Sequence, residues 1–182
     1  MGHRALVAYR RPDHLYDLRY SHWGGEDLSL GDDITSETPL GDGAVDARLL
    51  ADSIARDRIL TDHLDPCVHE ALYLVAPADG YAVDGYLVCW LEWGDGRENG
   101  RGAIIEAAPD TAHEVRTWFR ATKTTLGDSI EMGALSRRAA QAYLESRVCS
   151  AEDGIPYTYT GSENDDEYTP TPDAWPEDDE PL

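Results

Sequence analysis

The densest run of metal-competent side chains is Asp62-His63-Leu64-Asp65-Pro66-Cys67-Val68-His69-Glu70. If the run is extended, alternation puts His63, Asp65, Cys67 and His69 on one side, with nitrogen, oxygen and sulfur donors suited to zinc or another transition metal. That set would support metal-assisted hydrolysis, the enzymatic alternative for this chain. Three features weigh against it. Pro66 interrupts the run, the spacing matches no recurrent metal motif, and Asp65-Pro66 reads as an ordinary breaker between a helix end and a strand start. A second group is His3 and Arg4 with His22 and Trp23. Full pairing of the first two strands would bring these four to one corner, suited to an anionic or aromatic group or to an acidic segment of a partner. The plain alternative is a satisfied structural histidine pair.

Other chemistry is poorly supported. The stretch Gly94 to Gly102 lacks a Gly-Lys-Ser/Thr ending, carries Asp95 and Glu98, and leads into a strand, so it reads as a hairpin loop and not a phosphate cradle. No Gly-x-Ser-x-Gly elbow occurs, and Cys89 lies inside an apolar run where a thiol is inert core. Cys67, Cys89 and Cys149 form neither a disulfide framework nor a Cys-x-x-Cys pair. Among 36 acids, any two carboxylates can be paired on paper, so paired acids are uninformative. No cofactor can be named.

The elements that would position these residues follow from periodicity. Ala5-Leu6-Val7-Ala8-Tyr9 and the alternating run Tyr16 to His22 predict a hairpin turned by Pro12 and Asp13. A drifting apolar stripe predicts a helix over 44–60. Strands are expected at Ala71–Ala76, at Tyr86–Trp93, which should be central, and at Ala103–Ala107. Thr111-Ala112-His113-Glu114 matches a capping box, followed by Val115, Trp118, Phe119 and Thr122 on one helical face until Leu126-Gly127. A last helix is expected from about Ser129 to Cys149. The result is an α+β fold: an antiparallel sheet of about five strands packed by three helices, with a disordered acidic C-terminal tail. If the helices leave one sheet face open, its tyrosines and Trp90 would form a ligand platform; the alternative is ordinary core packing.

The chain has 182 residues and a formal net charge of −21, and Lys123 is the one lysine among 15 basic residues. Short carboxylates keep a surface hydrated, and molar salt screens their mutual repulsion, so the surplus reads as adaptation to salt. Scarce basic residues, and a counterion-release term that fades at high salt, argue against nucleic-acid binding. No apolar run approaches the roughly 18 to 20 residues of a membrane span, and the first residues do not read as a secretory signal, so a cytoplasmic protein is expected. From Ser150 onward there are eleven acids, no base and five prolines, which predicts one domain over 1–155 and a disordered tail over 156–182. Within that tail Trp175 has no core to join and reads as a short docking motif. Residues 1–23 carry a local net charge of +2, so an acidic partner, or the chain's own tail, would suit the first hairpin.

The phrases His3-Arg4-Ala5-Leu6-Val7-Ala8-Tyr9, Tyr20-Ser21-His22-Trp23-Gly24 and His69-Glu70-Ala71 resemble an uncharacterised family of small haloarchaeal proteins, a domain of unknown function. The resemblance covers about the first 110 residues. It implies a salt-rich cytoplasmic setting and carries over no activity and no catalytic residue. The expectation is therefore a non-enzymatic binding or accessory protein, working through the N-terminal hairpin or the acidic tail.

Overall fold

A computed structural model describes residues 2–94 and 96–161. The first hairpin forms as its alternation requires. β1 (Ala5–Arg10) and β2 (Tyr16–Ser21) are antiparallel, with Ala5 opposite Ser21 and Arg10 opposite Tyr16. In the turn the Arg11 N–H bonds the Leu15 carbonyl at 2.8 Å and Asp13 Oδ1 accepts the Leu15 N–H at 3.1 Å. Then come α1 (Leu30–Asp33), β3 (Ala51–Ile54), α2 (Arg56–Arg58) running into a π turn at Ile59–His63, and β4 (Ala71–Ala76). β5 (Ala82–Trp90) and β6 (Gly100–Glu106) precede α3 (Pro109–Glu131), α4 (Arg137–Glu152) and β7 (Ile155–Tyr159).

The class is α+β, but the sheet differs from the expected five antiparallel strands. It has seven, in the order β3-β2-β1-β4-β5-β6-β7, and β1 pairs with β4 in parallel. The strand expected to be central is displaced from the middle by β4. β1 and β4 are buried on both faces because a core packs against each face of the sheet there, which is why each reads as a near-continuous apolar run. The period of two divides their side chains between two cores. Leu6, Ala8, Leu72 and Leu74 pack with Ile59, Leu60 and Tyr157 on one face. Ala5, Val7, Tyr73 and Val75 pack with Leu28, Leu30, Ile34 and Val45 on the other. Farther along that sheet, Leu91, Ala103 and Ile105 meet Phe119, Leu126, Leu144 and Val148 of the two long helices. Tyr16, Tyr73 and Tyr86 are buried and pack as ordinary core, while Tyr20 and Trp90 are half-buried.

No helix spans 44–60. The Asp46 N–H bonds the Tyr20 carbonyl at 2.9 Å and the Leu50 N–H bonds the Leu18 carbonyl at 2.8 Å, and β3 then continues along β2. Amides that a helix would have satisfied internally are satisfied on an open sheet edge, where tertiary pairing overrides a weak stripe. α3 starts three residues earlier than its capping signature suggested, with Pro109 at its first turn and the Thr111 hydroxyl accepting the Ala108 N–H at 3.3 Å. It also runs through Gly127, where a Cβ would stand 3.2 Å from Trp93 Nε1, so glycine there seats an indole and does not end the helix. The break falls at Gly133, in the left-handed region with φ 77, and Ser136 caps α4 by accepting the Ala139 N–H at 3.1 Å.

The sheet extends past the boundary expected at 155. β7 carries it to Tyr159, because Tyr157 is fully buried and donates its hydroxyl to the Leu64 carbonyl at 3.0 Å. Thr160 then bonds the Thr61 carbonyl through its N–H at 2.7 Å and meets Asp62 Oδ1 through its hydroxyl at 3.1 Å. Trp175 and the rest of the acidic run beyond 161 lie outside the described residues. Among the described residues, no helix is long and apolar enough to cross a membrane.

Candidate functional site

Three of the four corner residues meet. Antiparallel pairing of Ala5 with Ser21 puts the start of β1 beside the end of β2. His22 stands edge-on to Trp23 with ring centroids 4.9 Å apart, and His3 lies tilted at 6.3 Å from the same indole. Each imidazole is itself held: His22 Nδ1 by the Tyr20 hydroxyl at 2.8 Å, His3 Nδ1 by Glu70 Oε2 at 2.8 Å. Gly2 is part of the fit, because a Cβ there would come within 2.4 Å of His22 Nε2. Trp23 remains 62% exposed, the most exposed tryptophan among the described residues. Arg4 is exposed, and its contribution is a backbone one, its carbonyl accepting the Glu70 N–H at 2.8 Å.

His63, Asp65, Cys67 and His69 do not form a ligand set. Among the described residues no three His, Cys, Asp or Glu side chains converge so as to hold a metal ion. The segment is turned, not extended. Asp65 is buried, with Oδ1 accepting the Cys67 N–H at 2.9 Å and Oδ2 paired with Arg97 Nε at 2.6 Å, so its carboxylate organises the turn. His69 Nδ1 accepts the Asp65 N–H at 3.1 Å, which leaves the proton of the neutral ring on Nε2. Burial pushes this imidazole down to about 4. Burial, reinforced by the Asp65 charge, pushes the Cys67 thiol up, the opposite of an activated nucleophile. His63 ends the π turn.

The same turn walls a cavity of about 290 Å³ that α3 also lines. Three of the chain's 15 bases, Arg116, Arg120 and Lys123, line it. Spacings of four and three put them on one helix face. Arg116 spends its guanidinium on carbonyls, reaching Gly25 at 2.9 Å, Glu70 at 3.5 Å and also Glu26. Lys123 Nζ lies 5.7 Å from the centroid of the Trp93 ring. Burial lowers both the Arg116 and Lys123 values. Among the described residues none of the three cations forms an ion pair with a carboxylate. The one acid on the cavity wall, Glu70, is engaged by His3, so corner and cavity share that side chain.

The periodicity that located α3 drew attention to its apolar face. The cations at 116, 120 and 123 were nevertheless readable as a like-charged stripe in an acidic chain. A second cleft, lined in part by Asp32, Asp84 and Glu106, is acidic, and there burial, with Asp84 adding to it, raises the Glu106 carboxyl.

Searches of the curated proteins and of the solved structures found no match. A family model does match, over residues 1–48 and 42–154, and these stretches contain every residue of the corner and of the cavity. The chain belongs to that family, a family of unknown function designated DUF6735.

Proposed function

We propose that this chain is a non-enzymatic binding or accessory protein of a salt-rich, haloarchaeal cytoplasm, whose partner docks on the Trp23 corner. The observation that carries this reading is the exposed Trp23 indole, fixed by two imidazoles that are each fixed in turn. A rigid exposed aromatic contributes contact area without losing much freedom on binding, as binding anchors do. The arginines of the first hairpin favour an acidic surface on the partner, and the acidic residues beyond 161 offer a second, separate contact surface. One α+β domain followed by that tail is the organisation we propose.

The test is affinity capture in molar KCl with the native chain, Trp23→Phe and Trp23→Ala, followed by protein identification and elemental analysis. The alanine variant should lose a stoichiometric partner by about thirtyfold, as truncation of an interface anchor does, while the phenylalanine variant retains it. Equal capture by Trp23→Ala, or stoichiometric metal with no protein partner, would overturn the reading.

A further inference from the structure

The cavity under α3 is a built site of a different kind from the corner. Its wall is mixed. Arg116, Arg120 and Lys123 line it with His69 and one acid, Glu70. Leu87, Val88, Val115 and Phe119 supply its apolar lining. Placing like charges four residues apart on a helix is destabilising, and partial burial of an ammonium adds a desolvation cost. The chain has 36 acids from which to draw a partner for these cations, and among the described residues it uses none in an ion pair with them. Arg116 instead donates to neutral carbonyls of Gly25 and Glu70, which orient the guanidinium, while the Glu70 carboxylate acts on it through space without an ion pair. Lys123 is held by the face of Trp93, also neutral.

We propose that this cavity binds a small amphiphilic acid: one carboxylate or phosphate ester head on the Arg116, Arg120 and Lys123 face, with an apolar body against Leu87, Val88 and Phe119. A volume of about 290 Å³, at the roughly 30 Å³ that a water molecule occupies in the liquid, holds on the order of ten heavy atoms. That fits a single medium-length organic acid. An oxyanion there supplies the charge that the fold omits, and in a partly dry cavity its bonds to guanidinium and ammonium are stronger than at an open surface. Molar salt screens exposed pairs far more than this one, so the site suits the same solvent as the rest of the surface.

The experiment uses the full-length chain, labelled with ¹⁵N, in molar KCl, titrated with octanoate, phenyl phosphate, octanol and inorganic phosphate. Amide shifts should appear at residues 67–70 and 115–123 with either acid, and the acid that binds more tightly identifies the head. Octanol should bind at least tenfold more weakly than octanoate, and inorganic phosphate at least tenfold more weakly than phenyl phosphate. Arg120→Gln and Lys123→Gln should each weaken acid binding by about tenfold or more, as loss of a charged hydrogen-bond donor does. Arg120 is exposed and makes no hydrogen bond among the described residues, so its variant keeps the test valid if Lys123→Gln misfolds. Octanol binding as tightly as octanoate, inorganic phosphate matching phenyl phosphate, absence of shifts with both acids, or native affinity in the folded Arg120→Gln variant would each overturn the proposal.

Discussion

Acidification should destabilise this fold through His69, by an amount that its surroundings define. Burial carries the imidazole from its ordinary 6.5 down to about 4, against the field of the nearby Asp65 carboxylate, while its Nδ1 accepts the Asp65 N–H at 3.1 Å. In the unfolded chain the same ring takes up a proton near 6.5. Between those two values the unfolded state therefore binds more protons than the folded one. Stability is fully present above about 6.5, falls as the pH drops through that window, and the loss is complete below about 4. At 1.36 kcal/mol per pH unit the full window is worth on the order of 3 kcal/mol. Because the cause is desolvation, molar salt should not remove it. Urea unfolding in molar KCl between pH 7.5 and 4 would measure the effect in the native chain and in His69→Asn, whose Oδ1 can replace Nδ1 as acceptor for the Asp65 N–H. Carboxylates protonate in both proteins and cancel in the difference. The native chain should lose about 3 kcal/mol more than the variant. Parallel profiles, agreeing within about 0.5 kcal/mol, would refute the reasoning, as would an NMR titration placing the His69 midpoint near 6.5.

Tyr157→Phe should cost about 1 to 3 kcal/mol, because it leaves the buried Leu64 carbonyl without its 3.0 Å donor. Urea midpoints would show it, and an unchanged midpoint would mean that the carbonyl finds another partner. Dialysis from molar salt into dilute buffer lengthens the screening distance from about 3 Å to about 30 Å. With a net charge of −21 the fold should loosen, losing near-UV circular dichroism that returns when KCl is restored. A spectrum indifferent to salt would contradict the reading of the charge as solvent adaptation.

Local wiring was legible and long-range wiring was not. The first hairpin and the strand at Ala71–Ala76 follow from short-period alternation and turn residues, and α3 follows from a helical stripe that its neighbours reinforce. The parallel ladder between Leu6 and Leu72 leaves no mark in either segment beyond a two-faced apolar run, so the seventh-strand count and the mixed sheet were beyond periodicity. Ala51–Ile54 was misread because its partner is an edge offered by β2, which a local stripe cannot reveal. At the site, His3, His22 and Trp23 were readable because hairpin register alone brings them together. The His63 to His69 run misled because donor chemistry was judged on an extended segment, whereas Asp65 folds the turn onto itself and onto Arg97. Arg116, Arg120 and Lys123 gained meaning only once the cavity beneath them was seen.

The parallel pairing of β1 with β4 also has a consequence for assembly. β3-β2-β1 and β4-β5-β6-β7 are each threaded by antiparallel neighbours, and the sheet is sewn together by one ladder between residues 66 apart in sequence. Closing so long a loop is the slow step in such topologies. The corner and the cavity both sit at the mouth of that seam. Glu70 on one half bonds Arg4 and His3 on the other, and Arg116 reaches across to Gly25. His3, His22 and Trp23 belong to the first half and the lining of the cavity to the second, and Glu70 ties the one to the other across the seam. A molecule that grips both halves would therefore act as a clasp, slowing the separation of the seam and adding its binding free energy to the cohesion of the whole sheet.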